Sequence, residues 1–300
     1  MPRSKRPSVL VLGGASLDAV VHLSDASLPV VDRWYRSVGG TGAGKALNLA
    51  ALGVDVSLHA VLGRDEAGRE VEGALGAGGV RLLPRYSSYD TQRHTNLMLP
   101  DGGRVSLPVV PAAEPADFAA SEVAGEMAAA DVLVPSILEY VRPCLGPARA
   151  SGKPVWVDLH DWDGEQTHHQ AFAAAADVAV VSSARLADPD ALLDRLVAGG
   201  ARLAVCTHGA GGATALEASG RRVHQPALPG VAVEDTNGAG DAFTAGLLLG
   251  EWECRGLATS LAYATAAGAV CVGARGLAAP GTSAEAVRAL AARVPAAQRR

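Results

Sequence analysis

Asp235-Thr236-Asn237-Gly238-Ala239-Gly240-Asp241-Ala242-Phe243 sets two carboxylates around a run of small residues just ahead of an apolar stretch. Gly238, Ala239 and Gly240 leave little side chain between the backbone and a ligand, and Phe243, Leu247 and Leu248 recur at the spacing of a helix with one buried face. The segment therefore predicts a loop that opens a helix. The first amides of a helix have no internal acceptor and lie at the positive end of its dipole, so such a turn suits an anion, a phosphate above all. Asp241, in the first turn, is placed to take a proton from an attacking hydroxyl while amides 238–240 stabilise charge on the group in transit. That is the chemistry of phosphoryl transfer. Alternatively, Asp235 or Asp241 caps the helix and the glycines only make a turn.

Other stretches could also carry ligands. Gly39-Gly40-Thr41-Gly42-Ala43-Gly44-Lys45-Ala46 nearly spells the phosphate loop Gly-x-x-x-x-Gly-Lys-Ser/Thr, but Ala46 has no hydroxyl for magnesium and the first core strand does not precede it. Thr207-His208-Gly209-Ala210-Gly211-Gly212 makes either a backbone cradle or a plain hairpin turn. Asp158-Leu159-His160-Asp161-Trp162-Asp163 gathers carboxylates and an imidazole at a strand end. His168 and His169 lie nearby, yet adjacent histidines point to different sides of a helix, so no dedicated transition-metal site is expected.

The elements that must position these groups follow from periodicity. Ser8 to Leu12 reads as a buried parallel strand ending in Gly13-Gly14, and Asp18 follows closely enough for its carboxylate to reach a cleft at the strand ends. Leu17 to Leu23, Pro29 to Val38 and the two apolar stretches within 93–109, around the turn signal Asp101-Gly102-Gly103, predict a small lid with one uncovered apolar face. From Asp131 onward, short apolar strands (131–134, 154–158, 177–181, 202–206) alternate with helices (142–150, 166–176, 189–198), the rhythm of a parallel sheet. A further helix is expected over Gly256 to Val272.

Three hundred residues at 49% hydrophobic composition support one large core and a lid. A net charge of −5 argues against a broad nucleic-acid surface, and the basic ends Arg3-Lys5-Arg6 and Arg299-Arg300 read as solvated. No apolar run reaches the roughly 18 residues of a membrane span, and residues 1–7 lack a signal-peptide core, so a cytoplasmic protein without membrane contact is expected. Cys144, Cys206, Cys254 and Cys271 lack metal-ligand spacing and read as reduced packing residues.

The string from Asp235 to Phe243 resembles the second signature of the ribokinase-like, or PfkB-type, carbohydrate kinases, Asp-Thr-x-Gly-Ala-Gly-Asp followed by a small residue and Phe. Gly39 to Leu52-Gly53 has the framing of that family's first signature, and Gly63-Arg64-Asp65-Glu66-Ala67-Gly68 matches its Gly-x-Asp-x-x-Gly turn. The resemblance covers nearly the whole chain. It implies an α/β, ribokinase-like three-layer sandwich with a central, mostly parallel sheet flanked by helices: one kinase domain over residues 1–300 with a β lid from about 15–40 and 88–110.

The implied activity is ATP-dependent phosphorylation of a hydroxymethyl group on a sugar or sugar-like alcohol, with Mg2+ and a monovalent cation such as K+ as companions. The resemblance gives Asp241 as the base, helped by the amides of Gly238, Ala239 and Gly240. It gives Asp18 as a ligand of sugar hydroxyls, with Gly39 and Gly40 letting the backbone approach the acceptor. Gly44 stands where the family carries Asn, so Lys45 or Asn48 would replace it. Thr207, Gly209, Gly212, Asn237, Ala274 and Gly276 would surround the nucleotide, Asp235 would hold the monovalent cation, and Asp158 would lie beside the transferred phosphate and Mg2+. Ser16, His160, Ser182 and Arg185 depart from the pattern; Ser182 and Arg185 replace an Asn-x-x-Glu that organises magnesium, and Arg185 would contact phosphate or sit on a solvated face. Trp34 and Tyr35 could stack on a nucleobase or form the core of a homodimer made through the lid, so a nucleoside kinase is one alternative. A non-catalytic sugar- or nucleotide-binding relative is the other.

Overall fold

Alternating side chains of short strands build the centre of the protein. In β1 (Ser8–Leu12), Val9 and Val11 enter one apolar cluster and Leu10 and Leu12 another, as a parallel strand covered on both faces must. With β4 (Asp55–Gly63), β5 (Arg81–Ser87) and β8 (Val132–Pro135) it forms a parallel sheet in the order β5-β4-β1-β8. The parallel strands β9 (Trp156–Asp158), β10 (Val178–Ser182) and β11 (Leu203–Thr207) continue from it, linked by a parallel bridge between Leu133 and Val155. Antiparallel β12 (Ala213–Glu217), β13 (Arg222–Gln225) and β14 (Gln298–Arg299) complete the layer. This is a computed structural model, and it describes residues 6–25, 31–100, 104–115, 117–253 and 255–300.

Helices cover both faces of the sheet. α1 (Thr41–Ala51), α2 (Glu66–Ala77), α7 (Ala239–Trp252), α8 (Leu257–Val272) and α9 (Ala284–Ala291) bury their apolar sides in the Val9 cluster. α3 (Ala124–Ala129), α4 (Leu145–Ala150), α5 (Thr167–Ala175) and α6 (Pro189–Ala198) pack into the Leu10 cluster. The fold is the α/β sandwich expected. Asp65 explains the turn before α2: its carboxylate caps the helix by accepting the Gly68 amide at 2.8 Å, and also accepts the Thr91 hydroxyl at 2.6 Å. The helix expected over 142–150 begins instead as a tighter turn over Glu139–Cys144, with Pro143 inside it.

α7 departs from its expected single buried face, since every residue from Asp241 to Gly250 is buried. The cause is α8. A Cβ on Gly246 would lie 2.6 Å from the Tyr263 carbonyl oxygen, and one on Gly250 would lie 2.5 Å from the Ser260 Cα, so the two helices meet backbone to backbone.

A separate sheet of β2 (Ser16–Leu23), β3 (Val31–Gly39), β6 (Arg93–Met98) and β7 (Arg104–Val110), in the order β3-β2-β6-β7, stands over the strand ends. Asp18 lies within β2 and not in a turn after β1. Register divides the sheet into two faces: Ser37, Asp18 and His94 align across it, as do Tyr35, Val20 and Asn96, and Arg33, His22, Met98 and Arg104. These rows share the inner face; Trp34, Val21, Leu97 and Val105 form a row on the outer one. Pro29, the Asp101-Gly102-Gly103 turn, Arg3, Lys5 and Cys254 lie outside the described residues. Cys144, Cys206 and Cys271 are free and buried, and burial pushes their thiols up to about 11, 12 and 12.

Candidate active site

Gly238 opens α7 at φ 76°, a dihedral that side-chain-bearing residues rarely adopt, and a Cβ there would lie 2.6 Å from the Leu277 carbonyl oxygen. Glycine is required on both counts. Ala239 is half-buried and Gly240 exposed, and a Cβ on Gly240 would meet no atom within 4 Å, so the bend opens to free space at Gly240. One residue on, Asp241 is 7% exposed.

The Asp241 carboxylate turns toward α1. Its Oδ1 accepts a hydrogen bond from Lys45 Nζ at 2.7 Å, and the same ammonium lies 2.9 Å from Asp158 Oδ2 at the end of β9. Lys45 is only 2% exposed. Asp241 Oδ2 lies over Gly44, where an added Cβ would come within 2.1 Å of it. Gly44 is therefore the residue that lets the base and α1 meet. Burial opposes the Lys45 charge, but Asp158 and Asp241 outweigh it and hold the ammonium above its usual range. Burial likewise opposes ionisation of Asp158, yet His160 and Lys45 hold that carboxyl at about 2. For Asp241 burial wins over the pull of Lys45 and raises the carboxyl above its ordinary value, the direction that makes a carboxylate a better base.

His160 is the only non-glycine residue with positive φ, at 52°, among those described. Its amide donates to Asp158 Oδ1 at 2.9 Å, and its Nδ1 lies 3.5 Å from Asp158 Oδ2. Both oxygens of Asp158 are thus engaged by the protein. In this structure the cation beside Asp158 is the Lys45 ammonium. Ser182 accepts the Ala184 amide at 3.3 Å, and Arg185 lies 3.9 Å from Asp161 and 3.8 Å from Asp163 on the surface. His168 pairs with Glu139 at 3.1 Å, His169 stacks on Trp162, and no metal-ligating cluster occurs among the described residues.

Asp18, 5% exposed, forms the polar centre of the inner lid face. Its Oδ1 accepts from the Ser16 hydroxyl at 2.7 Å and lies 3.1 Å from His94 Nδ1, while Oδ2 accepts from Asn96 Nδ2 at 3.0 Å. Gly39 is needed beneath it, since a Cβ there would stand 2.1 Å from Asp18 Oδ2, and Gly40 starts α1. His94 and Asn96 are the residues sequence reading missed; their signal is polarity at alternate positions of β6, the period that puts both beside Asp18.

Two expected ligands also brace the fold. Asn48 Nδ2 donates to the Gly44 and Leu277 carbonyls at 2.8 and 2.7 Å, so the side chain ties α1 to the C-terminal segment. Asp235 Oδ2 accepts from the Tyr35 hydroxyl at 2.6 Å and Oδ1 from the Asn237 amide at 2.8 Å. Each Asp235 oxygen takes one protein donor and keeps a further lone pair. Burial, then the hydrogen bond to Asp235, holds the Tyr35 hydroxyl well above its usual range. Asn237 is held in turn by Arg104 Nη1 at 2.8 Å, and Arg33 lies 3.2 Å from Glu234. The inner lid face is thus tied to the loop that leads into α7.

The remaining nucleotide-side residues are spread over two turns. Thr207 donates to the Val181 carbonyl at 3.4 Å, Gly209 is exposed, and a Cβ on Gly212 would lie 2.1 Å from the Gln225 carbonyl oxygen. Ala274 is half-buried, while Gly276 is buried and faces Ser37 of β3, whose Oγ would stand 3.3 Å from an added Cβ.

A buried carboxylate at the start of a helix, one residue past the exposed Gly240, is an arrangement suited to an enzyme that moves a phosphoryl group to an alcohol. The comparisons agree. Residues 157–284 match the pfkB family carbohydrate kinase pattern. The chain is 34% identical over 283 residues to acarbose 7(IV)-phosphotransferase from Actinoplanes sp., covering 89% of this chain and 92% of that protein. It is 32% identical over 302 residues to the bifunctional protein HldE from Caulobacter vibrioides, covering 88% of this chain but only 60% of that protein's length. The solved structure of the microbiome-derived acarbose kinase Mak1 superposes with a TM-score of 0.85 at 31% identity, covering 96% of this chain and 100% of that one. The chain belongs to the pfkB family of carbohydrate kinases and is an ATP-dependent sugar-phosphorylating enzyme.

Proposed function

We propose that the protein transfers the γ-phosphoryl group of ATP to a hydroxymethyl group of a sugar or sugar-like alcohol, with acarbose the first acceptor to test. The observation that carries this reading is Asp241 Oδ2 over Gly44, one residue beyond the exposed Gly240. The acceptor oxygen attacks the γ-phosphorus as its proton passes to Asp241, and the bond to the bridging β,γ-oxygen breaks with its electron pair leaving on ADP. Amides 238–240 stabilise the equatorial charge, and Asp18, with His94 and Asn96 behind it, holds acceptor hydroxyls under the lid. Thr207, Gly209, Gly212 and Ala274 lie on the nucleotide side of this reading. Mg2+ would enter with the nucleotide, held mostly by phosphates and water, with Asp158 as the carboxylate that would join them. No step in this reading depends on K+. One kinase domain with a β lid accounts for the chain, and reliance on ATP fits a cytoplasmic setting.

ADP release measured with acarbose, simple sugars and nucleosides tests the reading. Turnover with acarbose or a sugar is the expected result; turnover confined to nucleosides replaces it with the nucleoside-kinase reading. Nucleotide binding without turnover on any acceptor replaces it with a non-catalytic binder. The aromatic pair gives the nucleoside reading no support: Trp34 is 64% exposed on the outer face, and the Tyr35 hydroxyl is bound to Asp235.

The outer lid face supports a homodimer. Trp34 and Val105 occupy one cross-strand row there and Leu107 the next, all exposed. Leu107→Asp is expected to convert a dimer to a monomer in light scattering at micromolar concentration. A monomeric wild-type protein under the same conditions ends this part of the reading.

A further inference from the structure

Lys45 is the largest fully buried side chain, and nothing in the reaction outlined above uses it. Burying an ammonium is costly unless it is paired and hydrogen-bonded, and this one sits between two carboxylates drawn from elements far apart in sequence. We infer, on the basis of the proposed phosphoryl transfer, that Lys45 is the positioning residue of the base: its ammonium anchors Asp241 Oδ1 so that Oδ2 is presented to the acceptor hydroxyl.

The geometry divides the labour between the two oxygens. Oδ1 is 2.7 Å from Nζ, whereas Oδ2 lies over Gly44, at the start of α1 where Gly39 and Gly40 bring the backbone toward the lid. A carboxylate free to rotate about its terminal torsion would offer either oxygen in a broad range of directions; one fixed by a charge-assisted hydrogen bond offers a single one. Asp158 completes the device by holding the far side of the ammonium at 2.9 Å, and the His160 amide holds Asp158. Throughout the reaction Lys45 keeps its protons, and the acceptor's proton ends on Asp241. The same ammonium sets a fixed positive charge between the two carboxylates. Lys45 from α1, Asp158 and His160 from the turn after β9, and Cys271 from α8 are the titratable groups that act on or face Asp241.

The titration arm of the test needs no knowledge of the acceptor. In protein carrying 13C-carboxyl aspartate, the Asp241 resonance is identified by its loss in Asp241→Asn, and its titration is followed in wild type and Lys45→Met. Removing an adjacent positive charge is expected to raise the Asp241 midpoint by about one to three pH units. Turnover is expected to fall about 10²-fold with little change in the KM for ATP, since a misdirected base loses rate and not nucleotide binding. The acidic limb of the pH–rate profile should move upward with the midpoint. Lys45→Arg, which keeps the charge, should return the midpoint toward that of wild type and restore part of the turnover. If Lys45→Met does not fold, Lys45→Met/Asp158→Asn removes the carboxylate left unpaired, and the midpoint should still rise because the lost ammonium is the nearer charge. An unchanged midpoint, or turnover at the wild-type rate in a folded variant lacking Lys45, overturns the inference. A wild-type protein that phosphorylates no acceptor defeats the kinase reading alone, because the midpoint comparison still decides the role of Lys45.

Discussion

Asp241→Asn should lower turnover by about 10²- to 10⁴-fold while the protein stays folded and still binds ATP. Asparagine keeps the size and shape of aspartate, and its carbonyl oxygen can still accept from Lys45 Nζ, now 2.7 Å from Asp241 Oδ1. The ammonium also keeps Asp158 at 2.9 Å, so no buried charge is left without a partner. What disappears is a proton acceptor. The amides of the 238–240 bend and the residues around the nucleotide are untouched, so the affinity for a non-hydrolysable ATP analogue, read by calorimetry, should match wild type. Turnover read by ADP release should not. Wild-type turnover in this variant would remove Asp241 as the base and leave it as a helix cap.

The second large effect concerns a residue with no side chain. Gly44→Ala places a methyl group 2.1 Å from Asp241 Oδ2 and 2.8 Å from its Cγ, distances that require the carboxylate to move. Misplacing a reacting group by about 1 Å can cost about 10²-fold in rate, and that loss is the expectation here. The stability expectation has the opposite sign from helix propensity alone. Gly44 is inside α1, where alanine would ordinarily stabilise by about 1 kcal/mol. The clash and the weakened Lys45 pairing should cancel that gain, leaving the melting temperature at or below that of wild type. A variant that melts higher and turns over normally would show that Oδ2 does not need the space above Gly44.

Much of the donor side was legible in the sequence because its chemistry is local. The residues from Gly238 to Asp241 are contiguous, so their composition alone told of a bend, a helix start and a carboxylate in the first turn. The sheet was legible for a similar reason: Ser8–Leu12 and the strands after residue 131 are short apolar runs set off by helices. The acceptor side was not legible because its contacts are distant. Lys45 meets Asp241 across 196 residues, and Tyr35 meets Asp235 across 200. Type and spacing told that Lys45 or Asn48 could act near Gly44, but not that one would be spent on carboxylates and the other on backbone carbonyls. For Asp158 and Asp235, the sequence shows the carboxylate but not the protein donors that also meet it. α7 was read as one-sided because the apolar spacing was weighed without the glycines that bring α8 against it.

Those glycines have a mechanical consequence at the other end of the helix. Where Gly246 and Gly250 press α7 directly onto the α8 main chain, no flexible group stands between them to absorb a slide or a roll by changing rotamer. The rod is pinned along its length, so its leading amides and its carboxylate are aimed by the core and keep that aim whatever the roof above them does. Alignment with the incoming phosphate is therefore set when the chain folds and need not be assembled afresh at each turnover.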